Sequence, residues 1–285
     1  MRTARRPVEW LHAARSVHGQ ARQLTGLGAS AITRFKLYAT TWALWTIRRA
    51  GLVPGIRIRL SLVYRGTRFT CVINDYTGLS MLREIFIDEE YAEPVPPDPR
   101  VIFDLGSNIG LSILFFRVRY PEARIYGFEP DPAAFAQLVR NVGKLPGVEV
   151  RNVAIGARDE RRTLYVSPES WTSSLARSPE SKSTTTAMVR TLNSLAEELA
   201  IDRIDLLKFD IEGSEWKLIA DAHSRRLPDI RAAVGELHAE NAPAHSDTLL
   251  RGCREFQLDL HRTSYRTQML MAVRRDDARS ARSAR

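Results

Sequence analysis

Cysteine is nearly absent. Cys71 and Cys253 are the only two in 285 residues, too far apart to outline a disulfide framework or a metal knuckle. Long apolar runs are missing too, so nothing reaches the ~20 residues that cross a bilayer. The N-terminus is basic but lacks an apolar stretch followed by a small-residue cleavage site. These absences make a cytoplasmic protein the expectation. Acidic residues are scarce in one region only: residues 1–50 carry nine Lys/Arg against Glu9, a net +8. Arg274 to Arg285 adds +3, which leaves −2 on residues 51–273 out of the chain's +9. A catalytic face that tracked nucleic acid would need a basic surplus in the core, so no nucleic-acid partner is expected. The basic arm keeps action on nucleic acid as the alternative reading.

What is present is the composition of a globular enzyme, 44% hydrophobic and 26% charged, long enough for one catalytic domain plus an appendage. Residues 1–55 read as a basic helical extension. Within it Arg34 to Ala50 has Phe35, Tyr38, Trp42, Trp45 and Arg49 at helical spacing. Its aromatic face calls for a partner: the catalytic domain, a second subunit in a homo-oligomer, or an anionic membrane surface. Residues 56–99 read as a lead-in of a β-hairpin, Ile56 to Tyr64 and Phe69 to Ile73, and a short helix from Leu79 to Asp88. The Pro94-Val95-Pro96-Pro97-Asp98-Pro99 run then closes it. Residues 274–285 read as a disordered basic tail.

Residues 100–273 alternate strand and helix. Short apolar runs at Val101, Ile125, Val148, Asp205 and Arg231 are each followed by helical spacing or a turn, and Phe256 to Leu260 and Met269 to Val273 end the series. This rhythm predicts an α/β fold, a Rossmann-like, doubly wound and mostly parallel sheet carrying an N-terminal helical and β-hairpin extension, with the last two strands antiparallel. The stretch from Ser167 to Met188, rich in Ser, Thr and Pro around Trp171, reads as a long loop suited to a lid.

The segment Val101 to Gly110 ends a buried strand in Asp104, turns through Gly106, Ser107 and Asn108, and opens a helix after Gly110. Backbone N–H groups there can meet a carboxylate, and the glycines allow close approach. The spacing Gly106-x-x-x-Gly110 lacks the second close-approach glycine of a pyrophosphate binder, which fits the amino-acid end of S-adenosylmethionine better than a nicotinamide dinucleotide. The second strand ends at Glu129-Pro130, where a Rossmann-type site holds two ribose hydroxyls with a carboxylate.

Together with Asn152 to Gly156, Asp205 to Glu215 and Glu236-Leu237-His238, these motifs make the chain resemble the FkbM family of methyltransferases over roughly residues 56–273. The resemblance implies a class I methyltransferase sheet, S-adenosylmethionine as cofactor, and O-methylation of a hydroxyl on a small molecule, a natural product or a sugar. It also points to Asn152, Val153 and Ala154 as the edge that meets adenine. Thr191-Leu192-Asn193 departs from the family's usual Thr-Leu-Asp, a change that spares helix capping.

Methyl transfer to oxygen needs alignment and a place for the acceptor's proton. In open α/β sheets the reacting groups collect at the strands' carboxyl ends. The candidates there are Asp210 with Glu212 and Glu236 with His238, residues two apart that share a face, and His238 is the favoured base because imidazole titrates near neutrality. Their oxygens leave Mg2+ open as a second cofactor, although the spacing matches no metal signature and no ligand set is assigned.

Overall fold

The computed structural model describes residues 7–52, 56–93, 96–167, 174–175, 183–211, 214–223, 228–238, 242–244, 246–262 and 267–275. It forms two compact units, Met1–Glu90 and Tyr91–Arg285.

In the first unit, helices α1 (Pro7–Thr25) and α2 (Ala31–Arg49) precede a hairpin of β1 (Ile58–Tyr64) and β2 (Thr67–Ile73), followed by α3 (Tyr76–Phe86). The hairpin turns on Arg65 and Gly66, both at positive φ (47° and 79°), the conformation that matches strand twist in a two-residue loop. Ser30 caps α2 by accepting from Thr33 N, which starts the helix three residues before the aromatic pattern does. Helix α1 was not legible from spacing. Among its described side chains Val17, Ala21 and Leu24 are buried, with His18, Gln20, Arg22 and Gln23 between them, too few apolar positions to register as an amphipathic pattern. No helix among the described residues is long and apolar enough to cross a membrane.

The second unit is built on seven strands: β3 (Val101–Leu105), β4 (Arg124–Phe128), β5 (Val148–Arg151), β9 (Arg203–Phe209), β10 (Asp229–His238), β11 (Phe256–Arg262) and β12 (Thr267–Arg274). Numbered along the chain as seven sheet strands, they lie side by side in the order 3-2-1-4-5-7-6. All pairs are parallel except those of β12, which lies antiparallel between β10 and β11. Helices α4 (Leu111–Arg119), α5 (Pro132–Val142), α6 (Leu192–Glu198), α7 (Glu215–His223) and α8 (Ser246–Gly252) connect them. This is the expected α/β sheet. Its central strands β3 and β9 are buried on both faces, as parallel strands under helices must be, with Phe103, Phe128, Leu207 and Phe209 in the core.

Register places the site. Leu105 pairs with Phe128 on one side and Phe209 on the other, so Gly106, Glu129 and Asp210 leave the sheet at one end, where the strand order reverses. A second, three-stranded sheet of β6 (Ala154–Ile155), β8 (Ser183–Arg190) and β7 (Glu160–Val166) lies in sequence between β5 and α6. It corrects the expectation of a loop from Ser167 to Met188: Ser183 to Met188 pairs with β7, its Thr-rich run being strand-forming rather than loop-forming. Trp171, Glu212 and the tail from residue 276 lie outside the described residues.

Candidate active site

An open cleft lies at the carboxyl ends of β3, β4 and β9. Gly106, Asn108, Glu129, Ala154 and Asp210 line it; Val153, Ile155 and Leu164 supply apolar wall. Asp104, Ser107, Gly110 and Asn152 act from behind that wall.

Gly106 sits at φ +75°, and a Cβ there would fall 1.8 Å from the Asp210 carbonyl oxygen, so the loop after β3 and the end of β9 can touch only through a glycine. Ser107 ties β3 to β4: its hydroxyl donates to Asp104 O (2.8 Å) and accepts from Phe128 N (3.1 Å). Asn108, at φ 45°, donates its N–H to Glu129 Oε2 at 2.8 Å, while Asp131 N donates to Oε1 at 2.8 Å. Each carboxylate oxygen of Glu129 keeps a further acceptor position, the chemistry that two vicinal ribose hydroxyls require. Burial pushes this carboxyl up to about 8, against the two backbone amides that favour its charged form. Asn152 donates from Nδ2 to Glu129 O (2.8 Å) and Pro130 O (3.0 Å), bracing the turn that carries Glu129.

Asp104, fully buried, accepts from Ser112 Oγ at 2.5 Å and faces Lys208 Nζ at 3.1 Å. Lys208, 2% exposed, also donates to Gly106 O at 2.7 Å. Burial works against this ammonium, yet Asp104 and Asp210 hold its pKa above the ordinary lysine value. Sequence reading missed Lys208, and the signal was there: a lysine inside the apolar run Leu206-Leu207-Lys208-Phe209 has to be buried with a partner.

The reaction end combines β9, β10 and the start of α7. Gly235 pairs with Phe209, which sets Glu236 beside Asp210. One ligand-capable atom each of Asp210, Glu236 and His238 lies within 4.8 Å of the others. His238 Nδ1 donates to Glu215 Oε1 at 2.9 Å, and Glu215, completely buried at the first position of α7, also accepts from Ile211 N at 3.2 Å. A carboxylate oxygen accepts well from an imidazole N–H, so this contact orients the ring. Nε2 stands 3.9 Å from Glu236 Oε2. Trp216 Nε1 donates to His238 O at 3.1 Å and pins this strand end to α7. Burial pushes the Asp210 carboxyl above the usual range; Lys208 and His238 oppose that, and Glu215 and Asp104 add to it. Glu215 was hidden by its position, since an acid at a helix start reads as dipole complement rather than as a partner for a histidine 23 residues on.

The sheet order and a cleft at its switch point, walled by a glycine turn and a strand-end carboxylate, define a class I, Rossmann-like methyltransferase. Residues 104–254 match the model of the methyltransferase FkbM domain. The chain belongs to that family and is an S-adenosylmethionine-type methyltransferase. It is 31% identical over 208 residues to the 31-O-demethyl-FK506 methyltransferase FkbM of Streptomyces tacrolimicus, covering 60% of this chain and 79% of that one. It is 33% identical over 167 residues to the AMB antimetabolite synthetase AmbE of Pseudomonas aeruginosa, covering 55% of this chain and 8% of that much longer protein. A crystal structure of methyltransferase FkbM from Methylobacillus flagellatus overlaps 93% of this chain and 60% of its own, at 14% identity and a TM-score of 0.43. The fold assignment rests on the strand order, not on that likeness.

Proposed function

We propose that this chain methylates a hydroxyl oxygen of a small molecule, a natural product or a sugar. The observation that carries the reading is the cluster of Asp210, Glu236 and His238 beside the cleft, with Glu215 orienting the imidazole. Oxygen needs this and a more nucleophilic acceptor would not: a hydroxyl is a poor nucleophile until its proton is drawn away. The O-methyl specificity in the name of the Streptomyces relative supports the same chemistry.

S-adenosylmethionine, when bound, supplies a sulfonium methyl for in-line displacement. The residues fit it. The turn of Gly106 to Asn108 would take its amino-acid end, Glu129 would accept from the ribose hydroxyls, and Val153 to Ile155 and Leu164 would offer an apolar wall for adenine. Lys208 keeps the turn closed by donating to the Gly106 carbonyl. Asp210, on the cleft wall, and Glu236 and His238 next to it draw the acceptor's proton. Asp104, Ser107, Gly110 and Asn152 position the groups that touch cofactor.

The test is calorimetric titration with S-adenosylmethionine, S-adenosylhomocysteine and NAD, followed by a screen of hydroxylated acceptors with mass detection. Binding of the first two but not NAD, and a product 14 mass units heavier through oxygen, is the expected result. Tight NAD binding, or methyl transfer to nitrogen or carbon only, would overturn the reading.

A further inference from the structure

Acids are missing from a long stretch of the first unit: residues 10–74 carry ten Lys/Arg and no Asp or Glu. The same stretch holds four of the seven large apolar side chains that stand exposed among the described residues, Ile32, Phe35, Leu52 and Ile56. Single exposed apolar residues need no explanation, but their concentration inside a field of one sign does.

Helix α2 is where charge and apolar surface meet. Its solvent side recurs at helical spacing as Ile32, Phe35, Ala39, Ala43 and Thr46, all exposed, Ile32 at 82% and Phe35 at 74%. Thr46 donates its hydroxyl to Trp42 O of the same helix at 2.8 Å, so that donor is spent inside the helix. The aromatic pattern seen in the sequence divides here. Tyr38 turns to α1, its hydroxyl 2.9 Å from His18 Nδ1, and Trp42 and Trp45 pack edge to face, half-buried, with centroids 5.7 Å apart, while Phe35 points to solvent. Cations flank the stripe. Lys36 donates to Arg59 O at 2.6 Å, which brings the exposed Arg59 to the edge of the helix, and Arg49 lies over the Trp45 ring at 5.2 Å. Leu37, Thr41 and Leu44 on the opposite side are buried, so packing there holds the helix and leaves the apolar stripe in water.

Three occupants compete for such a face. A second copy is disfavoured by charge, because a two-fold interface repeats one patch and would set an acid-free, basic surface against itself. Nucleic acid would answer the cations through its phosphates, but Ile32, Ala39 and Ala43 give bases nothing to stack on. An anionic bilayer answers both: headgroup charge attracts Lys and Arg, and the headgroup–acyl boundary takes up the apolar side chains between them.

We infer that α2 docks this protein on anionic phospholipid, with Ile32 and Phe35 entering the headgroup–acyl boundary and Lys36, Arg49 and Arg59 meeting lipid phosphate. The contact is peripheral, since no helix among the described residues is long and apolar enough to cross a membrane. It rests on the first unit alone and does not depend on the reaction proposed above.

The experiment sediments the full chain with phosphatidylcholine vesicles made with and without phosphatidylglycerol. Partition onto the anionic vesicles is expected to exceed that onto the neutral ones by about tenfold or more and to fall as salt rises. Ile32→Ser combined with Phe35→Ser should lower it by about tenfold or more, and Lys36→Glu by about fivefold or more. These side chains are exposed, so the thermal midpoint by circular dichroism should stay at the wild-type value. Val139→Ser, at an exposed apolar position of the second unit, should leave partition unchanged. No partition onto either vesicle, equal partition onto both, or binding that survives the Ile32 and Phe35 double variant would overturn the inference. A dimer that the double variant dissolves would assign the face to a second copy, and binding to duplex RNA or DNA without partition onto vesicles would assign the charge to nucleic acid; either result overturns it as well.

Discussion

The two halves of the site are held by different kinds of contact. At the ends of β3 and β4, side chains are satisfied by backbone: Glu129 by two amides, Ser107 by a carbonyl and an amide, Asn152 by two carbonyls. At the ends of β9 and β10 Trp216 and Ile211 supply backbone contacts too, but the titratable groups meet side chain to side chain, His238 with Glu215 and near Glu236, with Asp210 alongside. Backbone partners cannot rotate away, so the first half is cast with the sheet. The second carries charge whose balance changes with every proton, cation or ligand that arrives. A methyltransferase benefits from that division: the donor is gripped by a fixed mould, and the acceptor's ionisation is left adjustable.

The strongest way to break the contrast is at a side chain that serves both halves. Lys208→Met strands Asp104 as a buried, unpaired charge and should cost about 4 kcal/mol, read as a lower urea midpoint. Adding Asp104→Asn to the same chain should restore part of that loss, since the double variant removes both charges. Next in size, His238→Asn should lower kcat about a thousandfold while calorimetric affinity for S-adenosylhomocysteine stays within twofold. An equal loss in binding would mean that the halves are not separable. Glu129→Gln should do the reverse, weakening S-adenosylhomocysteine by roughly 2 kcal/mol and leaving kcat at saturating donor within a few-fold.

A further effect is one of pH. The folded pKa of Glu129 is raised from 4.5 to about 8 by burial, so between those values the folded protein holds a proton that the unfolded chain has released. Its contribution to stability is therefore complete below pH 4.5 and is lost as pH rises through 8. Ribose hydroxyls donate best to the ionised carboxylate, so nucleoside affinity should rise over the same upward range, with proton release on binding near pH 7. Calorimetry in buffers of different ionisation enthalpy reads that release directly, and Glu129→Gln should abolish it.

The cast half was the legible one. Gly106, Asn108, Gly110 and Glu129 sit at fixed offsets from the ends of two short strands, so spacing alone carries their geometry. The pairings of the other half depend on register between strands distant in sequence: Lys208 meets Asp104 because β9 lies against β3, and Glu215 meets His238 because α7 starts beside the end of β10. A run such as Leu206-Leu207-Lys208 shows that a partner exists but not which residue it is. The strand β8 was misread because Ser and Thr serve loops and strands alike, and the choice between them is made by pairing with β7.

The position of β12 has a consequence for how the protein is made. It is translated after every other strand of the sheet, yet it pairs with β10 from Ala232 to His238, alongside Glu236 and His238 themselves. A nascent chain can therefore assemble its nucleoside mould long before β10 has an outer neighbour. Until residues 267–274 clear the ribosome, the strand that carries the chemistry has a bare edge, and the ability to hold the donor precedes the ability to use it.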